Sequence, residues 1–347
     1  MYIESIHIKE FRIFKDLEIR FQPPENGENV NNVIAGVNGC GKTTLLETFF
    51  EYFQDNLSDS VQIKITDIPP NIEDPRLIFI PANLNFVYKP TSQFNTNYQF
   101  LNLIDENILG KTEAYIREYI LSIERESHIA NPKERTSLAI SQFNKPFINT
   151  KLLTTLHDLD KNRFNRPVFK NIKGDLVTID QLSDGEKQLY GRVVALIMLE
   201  PRNSMILIDE PEISLHPAWQ QEIMKIYANI GKNNQFIIAT HSPQIIANTP
   251  YKNLILLTQK NNRIIPVYPQ HPPSGVDVNS ILTEIMGADN RPKKLDALYQ
   301  QYREFVENAQ ETSLEAQKIK AQILQQESAN SIFMQEMDFL IALREEL

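Results

Sequence analysis

Nine residues, GVNGCGKTT from Gly36 to Thr44, constrain this chain more than any other stretch. Glycine, four spacers, glycine, lysine and threonine is the spacing of a phosphate-binding loop. The flanks agree with it. An apolar run, NNVIA, leads in, and KTTLLETFFEYF leads out with its apolar residues at helical spacing. A strand that passes through glycines into a helix aims several backbone N–H groups, and the positive end of the helix dipole, at an anion. Gly36, Gly39 and Gly41 let the backbone curl, with Asn38 between them and Thr44 closing the loop. Lys42 is placed to reach terminal phosphates and the Thr43 hydroxyl to bind Mg²⁺, so the expected cofactors are ATP and Mg²⁺.

Three further pieces carry chemistry. In MILIDEPE, Met205 to Glu212, four apolar residues end in carboxylates, which puts Asp209 and Glu210 at the carboxyl end of a buried strand. Ligands of open α/β sheets bind at that end. Asp209 would help hold Mg²⁺, and Glu210 would orient or deprotonate the attacking water. In QLSDGEKQ, Ser183 with Glu186 three residues on reads as a capping box, and Ser183 and Gly185 open a second helix start able to receive an anion. A second such start is redundant for one loop unless it faces a phosphate held by another subunit. In FIIATHSP, His241 follows a buried strand, where an imidazole could contact the terminal phosphate.

The rest of the chain reads as scaffold. The opening predicts a hairpin, YIESIHIKEFRIF and LEIRF, turning at KD. Alternating buried strands and helices predict an α/β core with a mixed, largely parallel sheet over 1–86 and 167–268. Residues 87–166 read as a mostly helical insertion, and 269–347 as a helical C-terminal region for dimer or partner docking. There, Leu295, Leu298, Tyr302, Phe305 and Ala309, then Leu314, Ile319 and Ile323, then Met334, Met337, Leu340 and Ile341 form apolar stripes.

Composition narrows the partners. A net charge of −9 disfavours coating nucleic acid by bulk charge, although local contact with DNA or RNA stays open. No apolar run approaches the ~18 residues of a membrane span, and the first residues lack a signal-peptide core. The single cysteine, Cys40, excludes an internal disulfide framework and makes the cytoplasm the expected compartment.

Together the ordered pieces resemble the ABC-type ATPases. GVNGCGKT stands as Walker A, LSDGEK as signature, MILIDE as Walker B, SLHP as D-loop and THSP as switch histidine. That resemblance, over residues 1–268, implies an ABC-type ATPase head: a head-to-tail dimer with two ATP between subunits, Ser183 and Gly185 on the partner's γ-phosphate, Glu210 as base, and Ser214 to His216 crossing the interface. It also implies a nucleotide-approaching role for Arg12. Asp184 and Glu186 depart from the glycine and glutamine usual in transporter subunits, and IPANLN lacks the glutamine of a Q-loop. Size, hairpin, EPEISLHP and THSPQII are most similar to the Septu-type anti-phage defence ATPases, also found in some retron systems. For those the resemblance implies a separate HNH-type nuclease subunit and no nuclease domain in this chain. RecF- or SMC-like repair ATPases and, further off, transporter ATPases stay as alternatives.

Overall fold

The computed structural model describes residues 2–53, 59–66, 76–82, 100–102, 108–148, 150, 152, 154–270 and 293–345. The chain begins with the strands β1 (Ile3–Phe11) and β2 (Phe14–Arg20), then β3 (Val30–Ala35), which runs into the glycine loop and helix α1 (Lys42–Phe53). Next come β4 (Val61–Ile65), β5 (Leu77–Ile80), β6 (Phe100–Asn102), α2 (Ile108–Glu126) and α3 (Pro132–Asn144). The strands β7 (Thr154–Asp160), β8 (Arg166–Asn171) and β9 (Leu176–Thr178) precede helix α4 (Asp184–Leu199) and β10 (Met205–Asp209). Two short helices, α5 (Pro217–Gln220) and α6 (Ile223–Ala228), lead to β11 (Gln235–Thr240), α7 (Pro243–Ala247), β12 (Leu254–Lys260) and β13 (Arg263–Val267).

The main sheet has the order β13-β12-β3-β11-β10-β5-β6, parallel except for the β12–β13 hairpin. Every residue of β5, β10 and β11 is buried, as expected of strands covered on both faces. One face, with Leu77, Phe79, Met205, Leu207, Ile237 and Ala239, packs with Leu45, Leu46, Phe49 and Phe50 of α1. The antiparallel sheet β2-β1-β4 closes over the same helix with Ile6, Ile8, Phe14, Leu17 and Ile19. Each such side chain contributes about 1.5–3 kcal/mol on burial. Gripped from two sides, α1 has its start fixed at the carboxyl edge of the main sheet.

Several expectations need correcting. The first hairpin turns at Arg12–Ile13, with Phe11 opposite Phe14, so Lys15 and Asp16 lie inside β2. Arg12 takes the left-handed conformation (φ 53°) that the tight turn requires, and Ile13 is exposed, outside the inward-facing set. The segment read as mostly helical does hold α2 and α3, but it also holds β6 and β7. With β8 and β9, β7 makes a separate antiparallel sheet. A register shift between Leu156 and Asp158 breaks its period-two pattern, so alternation does not betray it. HPAWQQEIMKIYANI holds the two short helices α5 and α6.

Two compact units are present, residues 1–281 and 282–347. The second holds helices Lys293–Glu307, Leu314–Leu324 and Ile332–Glu345. Leu295, Leu298, Tyr302, Ile323, Met334 and Met337 form its buried core, joined by Tyr299 and Phe333. Leu314 is 83% exposed and Ala309 ends a helix at φ 57°, so neither extends a stripe. Half of IPANLN, the three residues beyond Ala82, lies outside the described residues.

Candidate nucleotide site

Three neighbouring strands end together. Register pairs Ala35 of β3 with Thr240 of β11, and Ala239 of β11 with Asp209 of β10. The glycine loop, His241 and Glu210 therefore leave the same edge side by side. Two glycines of the loop are fixed by close approach. A Cβ on Gly36 would stand 2.5 Å from the Leu257 carbonyl oxygen. One on Gly41, at φ +88°, would stand 2.5 Å from Ile13 Cδ1 and 2.8 Å from Phe14 Cζ. The tip of the first hairpin thus seats the loop. Asn38 and Gly39 are exposed at its crest, and Cys40 is buried beneath, its thiol pushed up by burial and so kept from the reactive thiolate form.

Lys42 is buried at the helix start and donates from Nζ to the carbonyls of Gly36 (2.8 Å) and Val37 (3.2 Å). The Thr43 hydroxyl donates to both carboxylate oxygens of Asp209, at 2.9 and 3.1 Å. Thr44 holds the first turn of α1, its carbonyl accepting from the Thr48 hydroxyl at 2.7 Å. Burial pushes the Asp209 carboxyl up to about 6. The Thr43 hydrogen bond opposes that rise, Glu210 and Glu212 add to it, and Lys42 opposes it again. A buried carboxylate beside two more acids is short of positive charge, and hydroxyl plus carboxylate is the hard-oxygen donor set that Mg²⁺ favours. Thr43 and Asp209 therefore fit the cation. Among the described residues no three His, Cys, Asp or Glu cluster to hold a metal.

Glu210 takes a left-handed conformation (φ 43°) straight after β10, its N–H donating to the Ala239 carbonyl at 2.8 Å. Its Oε1 lies 3.0 Å from Nδ1 of His241, whose ring is half-exposed. A carboxylate paired with an imidazole at a strand edge can orient water and move its proton.

Ser183 and Gly185 are not part of this cluster. Ser183 caps α4: its Oγ donates to Glu186 Oε2 at 2.7 Å and accepts from the Glu186 N–H at 3.3 Å. Gly185 backs on the turn after β10, where a Cβ would stand 2.5 Å from the Ser214 carbonyl oxygen. Arg12 is ion-paired with Glu47 (2.6 Å) and Glu51 (2.5 Å) along α1. Its charge is engaged on the helix flank.

Sequence reading gave no role to Arg192, Glu212 or Thr240. Glu212 Oε1 accepts from the Thr240 hydroxyl (2.5 Å) and from the His241 N–H (2.8 Å). Arg192 is 1% exposed, and its guanidinium donates to the carbonyls of Glu210, at 3.1 Å, and Ala82. A signal existed for Arg192: one cation inside the apolar run of α4 must find buried acceptors. Nothing in the sequence names them.

Fold and edge together define an α/β phosphate-loop domain whose loop, acids and histidine share one sheet edge. The family described as “AAA domain, putative AbiEii toxin, Type IV TA system” matches residues 72–247, about half of the chain, and the chain belongs to that family. It is 26% identical over 278 residues to the retron Vc95 probable ATPase of Vibrio cholerae, covering 68% of this chain and 53% of that protein. To the retron Ec83 probable ATPase of Escherichia coli it is 30% identical over 207 residues, covering 51% and 36%. To the Septu protein PtuA of Bacillus thuringiensis it is 22% identical over 342 residues, covering 82% and 86%. The chain thus spans about half, or less, of the length of the two retron proteins. The SMC head domain from Thermotoga maritima superposes with a TM-score of 0.43 at 15% identity, over 78% of this chain and 100% of that one. Among the described residues, no helix is long and apolar enough to cross a membrane.

Proposed function

We propose that this chain binds and hydrolyses ATP with Mg²⁺, and that two copies close head to tail around two ATP molecules. The observation that carries the reading is the one edge on which Lys42, Thr43, Asp209, Glu210 and His241 converge. In that reading the Lys42 ammonium and the loop N–H groups bind the phosphates, and Thr43 and Asp209 hold Mg²⁺, which neutralises charge as the terminal phosphate leaves. Glu210 takes the proton of the attacking water, and His241 keeps that carboxylate aimed. The dimer is supported by the start of α4: Gly185 backs on the Ser214 turn and Ser183 is exposed beside it in sequence, where a second copy's phosphate would meet the helix start. ATP would then close the pair and hydrolysis reopen it.

Likeness to proteins named Septu and retron ATPase supports a finer reading, in which this cycle controls a separate HNH-type nuclease in cytoplasmic anti-phage defence, with DNA or RNA as trigger or target. The test is Glu210→Gln. General-base loss should lower turnover about 10²–10⁴-fold while ATP binding persists. The variant should then sediment as a dimer with ATP and capture the nuclease subunit from its native gene neighbourhood. A monomer at saturating ATP sinks the sandwich. Capture of a membrane permease, or of repair proteins with no dedicated nuclease, replaces the defence reading with the transporter or the RecF/SMC one.

A further inference from the structure

Two buried charges of opposite sign stand behind the Glu210–His241 pair. Arg192, on α4, is 1% exposed, and Glu212, in the turn after β10, is 5% exposed. Taking ions out of water is costly unless their hydrogen bonds are made, so what these two grip is informative. The guanidinium of Arg192 forks between the Glu210 carbonyl (Nη1, 3.1 Å) and the Ala82 carbonyl (Nη2). Those carbonyls leave β10 and β5, adjacent strands, at the same sheet edge. Glu210 has a Cβ yet sits at φ 43°, a conformation that persists only where the surroundings over-determine it. They do so from both sides: the Ala239 carbonyl receives its N–H at 2.8 Å, and Arg192 donates to its C=O.

Glu212 performs the matching task on β11. A single oxygen, Oε1, takes the Thr240 hydroxyl and the His241 N–H, and stands 3.5 Å from His241 Nδ1. The main chain that carries the imidazole is therefore tied to the same turn that carries Glu210. Toward the Lys42–Thr43 end of the site, Glu212 and Arg192 both act on Asp209 through their charge.

We propose that Arg192 and Glu212 are positioning residues for hydrolysis: Arg192 fixes the backbone from which Glu210 is aimed, and Glu212 fixes the backbone from which His241 meets it. The inference rests on the ATPase reading above. Its consequence is a division of labour, in which this pair governs the rate of the chemical step and the glycine loop governs nucleotide affinity.

The experiment measures ATP turnover and binding of a fluorescent ATP analogue in the full chain. Wild type, Arg192→Lys, Arg192→Met, Glu212→Ala and Glu212→Gln are compared, with thermal melting to confirm folding, and Arg192→Lys is also combined with Glu210→Gln. Arg192→Lys, Arg192→Met and Glu212→Ala should lower kcat about 10–100-fold with nucleotide affinity retained, the pattern of a lost orienting contact. Lysine should not rescue, because its shorter side chain ends in a single nitrogen and cannot span the two carbonyls that the separate Nη1 and Nη2 atoms of the planar guanidinium reach. Glu212→Gln keeps an acceptor oxygen and should recover most of the rate. Adding Arg192→Lys to Glu210→Gln should cost nothing further, since Arg192 acts through Glu210. Parallel loss of affinity and rate, a full-rate Arg192→Lys, a Glu212→Gln as slow as Glu212→Ala, or losses that multiply in the double variant would each overturn the inference. Should Arg192→Met fail to fold, Arg192→Lys and the Glu212 pair decide alone. A wild-type chain that binds ATP but never turns it over removes the proposed function itself, and this inference with it.

Discussion

Two helix starts in this molecule carry the same dipole and treat it in opposite ways. The first turn of α1 contains no acidic residue, and the buried Lys42 at its first position adds positive charge. The first turn of α4 contains Asp184 and Glu186, and its Ser183 is locked with Glu186 in a reciprocal capping box. A cap of that kind stabilises a helix by about 1 kcal/mol, and carboxylates at the start add about 0.3–1 kcal/mol each. The start of α1 is thus kept for an anion from outside, whereas α4 supplies its own. Any phosphate that reaches Ser183 must compete with Glu186 for the same hydroxyl. On the proposed reading the difference separates a committed site from a conditional one, and conditional is what a contact between two subunits should be.

The largest effect should come from the committed start. Lys42→Ala removes a buried charge-assisted contact and should weaken ATP binding by about 2–5 kcal/mol in a calorimetric titration. Unchanged affinity would break the contrast at its root. Next, Ser183→Arg should cut turnover about 10²–10³-fold, as does loss of a transition-state donor, while monomers still bind ATP. If ATP binding by monomers disappears as well, α4 serves its own loop and the two starts are not separate sites.

Asp209 sharpens the committed side through pH. Its carboxyl is raised to about 6, so it ionises only above that value, and Mg²⁺ affinity should fall about tenfold per pH unit below it. The same rise means that, between the ordinary carboxyl range and pH 6, the folded protein holds a proton that the unfolded chain has released. The ligand-free fold therefore loses stability as pH climbs through that window. Asp209→Asn should abolish the Mg²⁺ response yet raise the ligand-free melting temperature at pH 7.5 by a few degrees. A lower melting temperature would show that the carboxylate is structural.

The smallest change is on the conditional side. Glu186→Gln keeps an acceptor for Ser183 but removes a negative charge from the dipole. It should lower the ATP concentration for half-maximal dimer formation by about 2–5-fold. No shift would mean that the capping box persists when the phosphate arrives.

Much of the site is legible in the sequence because it is local. The loop spacing, the apolar run ending at Asp209 and Glu210, and the histidine after QFIIAT each declare themselves within a dozen residues. The capping box of Ser183 and Glu186 is equally local, and it forms as its spacing predicts. Where spacing is irregular the reading fails. The bulged β7 is taken as part of a helical segment, and the hairpin turn is placed at Lys15–Asp16 because KD looks like a turn while Arg12–Ile13 does not.

By itself the sequence determined that a strand, a glycine loop and a helix would make an anion cradle, and that buried strands would end in acids and a histidine. Those are one-dimensional facts, set by period and by the few residues tolerated at special dihedrals. Only the tertiary structure decided which strand ends adjoin. The order β3-β11-β10 sets Thr43 on Asp209 and His241 on Glu210, across separations that no spacing rule spans. It also decided what Arg192 and Glu212 are for, because a buried charge takes its meaning from the partners that folding brings to it.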